Sequence, residues 1–161
     1  MKTAVVYYSL DGNCAFVAEQ LKVLLNADLT ALETKARKRR TFIGKLFWGL
    51  GMVMSKKKPP LKPWSFEANN YDLVIVGAPV WASSPAPPVF TFLSEAGIKG
   101  KKIALYLCHA GNFENAFDKF TAYLDGSEVI LKGDFKSPLK NTETAKQQIT
   151  DWVKLLSANN N

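Results

Sequence analysis

The stretch YDLVIVGAPVWASSPAPPVFTFL, Tyr71–Leu93, decides how the rest of the chain is read. Its first part, Tyr71–Ala78, is apolar and β-branched, without the alternation of a half-exposed strand. It therefore reads as a strand buried on both faces, the habit of parallel sheets. Pro79 is expected to end it, because proline has no N–H to give a neighbouring strand. Ala82–Pro88 reads as a rigid loop, and a helix follows over Pro88–Ala96, since prolines suit first-turn positions. Gly97 is placed to close that helix as a left-handed C′ residue. A second buried strand opens the chain within Thr3–Asn13, TAVVYYSLDGN. Both strands break off into small and polar residues, and open α/β sheets bind ligands in the loops at the carboxyl ends of such strands.

The intervening segments complete an alternation. Cys14–Leu25 carries apolar residues at 14, 17, 18, 21, 24 and 25, a helical stripe, with Asn13 as the expected N-cap. Ala27–Leu32 is a weaker strand. Lys101–Cys108 is a further buried strand leading into His109-Ala110-Gly111-Asn112. Phe113–Leu124 repeats the helical stripe through Ala116, Phe117 and Phe120. Glu128–Phe135 reads as the last strand. Thr142–Leu156 reads as a closing helix with Ile149, Trp152, Val153 and Leu156 inward, and Ser157–Asn161 as a frayed end. With right-handed crossovers, five strands alternating with helices give an α/β fold. The expectation is a three-layer doubly wound sheet of five parallel strands, order 2-1-3-4-5, in one domain over 1–161.

The net charge of +7 at pH 7 is not spread evenly. Positions 35, 37, 38, 39, 40, 45, 56, 57, 58 and 62 are Lys or Arg, and no Asp or Glu lies among them. The rest of the chain is mildly acidic. Within this basic segment, about 35–63, Thr41–Met54 has helical apolar spacing weakened by Gly44, Gly49 and Gly51. An irregular helix followed by an exposed KKKPP turn is expected there. The plain structural reading is a sheet-covering helix with a solvated basic rim. The functional one is a surface for an acidic partner or an anionic membrane. No apolar run approaches the ~20 residues that cross a bilayer, no secretory leader is visible at the start, and two distant cysteines make no disulfide framework. A cytoplasmic protein with reduced thiols is the expectation.

Three loops carry the chemistry: Ser9–Cys14, Pro79–Ser84 and Cys108–Asn112. In the order 2-1-3-4-5 the strands that precede them are neighbours, so the loops line one crevice. The first loop opens a helix, whose free N–H groups and positive end suit an anion. Gly12 permits the turn, and Ser9 and Asn13 add side-chain donors. The loop contains no lysine, so it is not the phosphate loop of a nucleoside triphosphatase; a single phosphate monoester fits. Trp81 supplies a surface for a planar ligand. Cys14 and Cys108, counted across the sheet at ~4.8 Å per strand, are expected about 10 Å apart, beyond disulfide reach. One histidine and no clustered ligands exclude a zinc site.

At these residues the chain resembles the flavodoxin-like family, over essentially its whole length. Flavodoxins read [T/S]-x-T-G-x-T in the first loop, where this chain has Ser9-Leu10-Asp11-Gly12-Asn13-Cys14. Tyr71–Leu93 is similar to the family pattern YDLIIIGTPVWxGxPxPPVxxFL. The resemblance implies FMN as cofactor. Ser9, Leu10, Asp11, Gly12, Asn13 and Cys14 would then wrap its phosphate. Pro79, Val80, Trp81, Ala82 and Ser83 would border the ring, and Cys108, His109, Ala110 and Gly111 would hold its pyrimidine edge. Two departures stand in the first loop, where Asp11 and Cys14 replace hydroxyl residues. A carboxylate about 6 Å from a phosphate charge costs roughly 3 kcal/mol at an effective dielectric of ~20, so Asp11 is expected to turn outward and offer only its N–H. The third departure is Ala82-Ser83-Ser84-Pro85, which has no Gly to ease a peptide flip toward the ring. The one-electron-reduced form is therefore expected to be less favoured than in a dedicated carrier.

The resemblance implies electron transfer or small-oxidoreductase activity, with a redox partner protein or NAD(P)H as the other reactant. No residue stands out as an acid–base catalyst, so enzyme and carrier both remain open. A second class is a flavodoxin-fold binding module without FMN, acting through segment 35–62 on an acidic partner, anionic membrane or nucleic acid.

Overall fold

The computed structural model describes residues 1–35, 58–124 and 126–159. In chain order the elements are β1 (Thr3–Tyr8), α1 (Asn13–Leu25), β2 (Asp28–Leu32), β3 (Leu73–Trp81), β4 (Ser84–Pro85), α2 (Pro87–Glu95), β5 (Lys102–His109), α3 (Ala116–Thr121), β6 (Glu128–Lys136) and α4 (Thr142–Asn159). The sheet runs β2-β1-β3-β5-β6 with every one of these pairs parallel. The five parallel strands thus stand in the order expected from the sequence. The irregular helix expected over 41–54, and most of the basic segment, lie outside the described residues.

Alternate residues of the central strands feed two cores. Val6, Tyr8, Val76, Ala78, Leu105 and Leu107 face α2 and α3, where Val89, Phe92 and Phe120 meet them. Val5, Ile75, Ala104, Tyr106 and Cys108 face α1 and α4, against Val17, Leu21, Ile149 and Leu156. Each fully buried aliphatic side chain contributes about 1.5–3 kcal/mol, so the strands that end at the candidate loops are the most firmly held parts of the molecule. In α4, Trp152 is buried but Val153 only half so, and the helix continues to Asn159 rather than fraying after Leu156.

Three local readings are corrected. Pro79 does not end β3, which continues to Trp81. The missing N–H is tolerated because this end turns back as a hairpin, Val80 pairing with Pro85 and Trp81 with Ser84, while the Pro79 carbonyl accepts from Ala86 N–H at 3.0 Å. The helix expected over Phe113–Leu124 shrinks to Ala116–Thr121. Asn112 Oδ1 accepts from Glu114 N–H at 2.9 Å and Asn115 is left-handed at φ 61°, a local turn that competes with helix. Asn13 is the first residue of α1, not its cap; the N-cap position is Gly12.

One irregularity lies in β6. Ile103 pairs with Val129, but Ala104 pairs with Leu131, so β6 carries one surplus residue, a β-bulge. Beyond it Asp134 stands opposite Leu107 and Phe135 opposite Cys108. Among the described residues no helix is long and apolar enough to cross a membrane.

Candidate functional site

The carboxyl ends of β1, β3 and β5 bring the three expected loops to one edge of the sheet. Contacts between them close the arrangement. Tyr8, the last residue of β1, meets Trp81, the last of β3, edge to face with ring centroids 5.7 Å apart.

In the first loop Gly12 takes φ 89°, a left-handed conformation open to glycine. No side chain caps α1, so its first-turn N–H groups are left for a ligand or solvent. The Ser9 hydroxyl oxygen is buried without a hydrogen-bond partner. Leu10 packs on the α2/α3 core, and Asp11 is exposed, as a carboxylate turned away from an anion would be. Asp11 still adds its charge to burial in raising the Tyr8 phenol well above its ordinary range. Asn13 does not point its amide oxygen at the loop: that oxygen accepts from Leu139 N–H at 3.2 Å. The loop is braced from below as well. Tyr106 of β5 donates its hydroxyl to the Cys14 carbonyl at 2.9 Å, running across Gly77 of β3. A Cβ at position 77 would lie 1.9 Å from the Tyr106 ring.

The expected separation of Cys14 and Cys108 is overturned. Both are buried free thiols, close enough for a hydrogen bond between them. Burial, with Cys108 as the further cause, pushes the Cys14 thiol well up. Counting strands failed because Cys14 belongs to α1, which lies over β1, β3 and β5 rather than in the plane of the sheet.

The second loop is a tight turn. Pro79, Val80 and Trp81 are half-buried, Ala82 is exposed, and Ala82 and Ser83 both take positive φ, 48° and 54°. The Lys119 ammonium from α3 donates to the Ser83 carbonyl at 2.8 Å. In the third loop Cys108 is buried, whereas Ala110 and Gly111 are exposed. His109 ends β5 with its Nε2 2.9 Å from Asp134 Oδ2. Its ring lies against Phe113, centroids 4.2 Å apart.

Several residues of this edge escape a reading of the sequence. Phe113 and Asp134 flank His109. The short helical turn Pro138–Lys140 closes over the first loop, where Leu139 Cδ1 is 3.3 Å from the place a Cβ on Gly12 would take. The preceding Ser137 donates its N–H to the His109 carbonyl at 2.8 Å. Lys119, one turn into α3, carries no motif at all. Trp64, near the end of the basic segment, packs edge-on against Phe92 at 5.9 Å. Among the described residues no cluster of His, Cys, Asp or Glu can hold a metal ion.

An uncapped helix start, a buried unsatisfied hydroxyl and an aromatic rim stand together on adjacent strand ends of a doubly wound sheet, the edge at which such sheets bind ligands. The flavodoxin family model matches residues 2–156, and the chain belongs to the flavodoxin family. Solved structures agree in fold. A flavoprotein from Lactobacillus acidophilus NCFM, solved in complex with FMN, superposes with a TM-score of 0.73 at 24% identity, covering 86% of this chain and 96% of that one. A protein proposed to be a flavoprotein, from Bacteroides eggerthii DSM 20697, gives 0.77 at 20% identity over 97% and 98%. Oxidised flavodoxin 2 from Bacillus cereus gives 0.60 at 18% identity over 98% and 99%. No curated protein matches the sequence.

Proposed function

We propose that the crevice binds FMN and that the protein uses it to pass electrons, either as a carrier or as a small oxidoreductase. The observation that carries this reading is the buried, unpartnered Ser9 hydroxyl at the uncapped start of α1, beside an aromatic rim formed by Trp81. A buried polar atom left unsatisfied costs about 1–3 kcal/mol, and a phosphate oxygen at the head of α1 would satisfy it. The N–H groups of Leu10 to Asn13 would supply further charge-assisted bonds, and Asp11, being exposed, would stand clear of the anion. Trp81, steadied by Tyr8, would border the ring, while the backbone of Cys108 to Gly111 would meet its polar edge.

FMN, when bound, supplies the redox chemistry; the protein supplies position and electric field. The donor would be a reduced partner protein or NAD(P)H, drawn toward the basic segment by charge. The two free buried thiols suit a reducing cytoplasm.

The test is an absorbance spectrum of the purified protein with identification of any released flavin, followed by titration of the apoprotein with FMN and with riboflavin. FMN is expected to bind far more tightly than riboflavin. Ser9→Ala is expected to weaken FMN about tenfold, equivalent to ~1.4 kcal/mol, and to leave riboflavin unchanged. A colourless protein that takes up neither, yet binds anionic lipid or DNA in a salt-sensitive way, belongs to the binding-module class instead. Oxidation of NAD(P)H by the loaded protein with a quinone acceptor would mark it as an enzyme; a carrier would show no turnover.

A further inference from the structure

His109 is the only histidine of the chain, and its side chain is only 6% exposed. Asp134 Oδ2 lies 2.9 Å from Nε2, and pairing with a carboxylate oxygen assigns the hydrogen of the neutral ring to Nε2. That leaves Nδ1 as a bare lone pair. It is buried and has no hydrogen-bond partner. The ring cannot swing away from this position without displacing Phe113, whose plane is tilted 38° to it. A buried nitrogen in this state requires an explanation. It is a vacant proton site with a carboxylate at the far side of the same ring, ready to stabilise the cation that protonation would form.

Resting on the FMN reading above, we propose that His109 takes up a proton at Nδ1 when the crevice receives two electrons, and so becomes the countercharge of the reduced cofactor. A hydride donor or a reduced carrier protein delivers the electrons. The oxidised ring gains two electrons and one proton and is left with one negative charge. His109 gains a second proton from solvent: one N–H bond forms at Nδ1, no protein bond breaks, and the pair is neutral. Two electrons and two protons are taken up in all.

The surroundings favour this role on balance. From β6, Asp134 contacts the imidazole and favours the cation. Lys136, its register partner, opposes the cation but is exposed, so solvent screens it. Lys132 of β6 is engaged over the Phe117 ring at 5.9 Å. The loop after β5 offers the uncharged Phe113 and an exposed Glu114, and the turn after β6 offers only the exposed Lys140.

The experiment uses nuclear magnetic resonance of the FMN-loaded full chain before and after two-electron reduction by dithionite. A single histidine gives a single set of ring signals, identified by their loss in His109→Gln. Proton uptake is measured in parallel, above the pH at which N1 of free reduced FMN loses its proton. The expected result is a shift from neutral ring to imidazolium on reduction, with two protons taken up per two electrons. In His109→Gln loaded with FMN the uptake falls to one, and in Asp134→Asn the imidazolium signal on reduction is diminished. An imidazole that stays neutral, or a native protein that takes up one proton, overturns the proposal. Should His109→Gln fail to fold, the signals of the native ring decide alone. Absence of FMN binding defeats the parent reading and this one with it; bound FMN beside an unchanging imidazole defeats only this one.

Discussion

The loop Ser9–Cys14 and the turn Trp81–Ser84 sit on neighbouring strand ends, yet they reach their shapes by opposite means. The first uses glycine where the backbone is left-handed, Gly12 at φ 89°. The second places Ala82 and Ser83 there instead, at a cost of about 1–2 kcal/mol each, and is fastened from outside by the β3–β4 pairing and by Lys119. The first loop is therefore shaped by its own sequence, whereas the turn is shaped by what surrounds it. Substitutions should accordingly act in opposite senses on the two.

The largest effect is expected below the first loop. Gly77→Ala forces a Cβ into the Tyr106 ring and takes away the hydroxyl that braces Cys14. A loss of about 3 kcal/mol or more, or roughly 10 °C in Tm, should appear in thermal unfolding. Tyr106→Phe in the native background should cost only about 1 kcal/mol.

Alkali should find the same side. Burial raises Tyr8, Cys14 and Tyr106, so folding favours their neutral forms. The stability they contribute is whole below the ordinary values, 9.0 for the thiol and 10.0 for the phenols, and is lost as pH rises above these toward the folded-state values. Chemical unfolding followed across this range should show the decline. Cys14 should also resist thiol-directed alkylation below pH 9.0 for as long as the protein is folded.

Gly12→Ala comes next, at about 1–2 kcal/mol, with weaker FMN uptake in the titration described above. Ala82→Gly should do the reverse. Relief of strain exceeds the added chain entropy, giving a gain of about 0.5 kcal/mol. Lys119→Met, which keeps the aliphatic stem but frees the Ser83 carbonyl, is the smallest, a loss of about 0.5 kcal/mol. If Ala82→Gly destabilised the protein as much as Gly12→Ala does, the contrast between the two sides would collapse.

The same contrast explains what was legible in the sequence. Tyr71–Ala78, Thr3–Tyr8 and Lys101–Cys108 show themselves by continuous apolar runs, because strands covered on both faces have no choice of composition. Gly12 announces its turn because a left-handed residue usually is glycine. The hairpin at Ala82-Ser83 stayed hidden for the opposite reason: nothing in Ala-Ser-Ser signals positive φ, and the groups that impose it come from α3 and β4. Phe113 has helical spacing in the sequence, but the turn at Asn112 and Asn115 keeps it out of the helix. Leu139 is more than a hundred residues from the first loop and Asp134 lies on a different strand from His109, and only the assembled sheet brings each to its partner. The closeness of Cys14 to Cys108 is not legible in the sequence, because a helix crossing several strands abolishes distances counted along the sheet.

The surplus residue in β6 has a consequence of its own. In a strand, even and odd positions face opposite sides, so one extra residue inverts the parity of everything after it. Without the bulge between Val129 and Leu131, Phe135 would fall on the imidazole's side and Asp134 beneath α4, among Tyr106, Cys108 and Trp152. Point substitutions along β6 are thus local events, but a register slip that straightens the bulge with every residue kept is not. It would strip His109 of its carboxylate and bury that carboxylate in the opposite core. The two faces of the sheet are independent in composition and bound together in count.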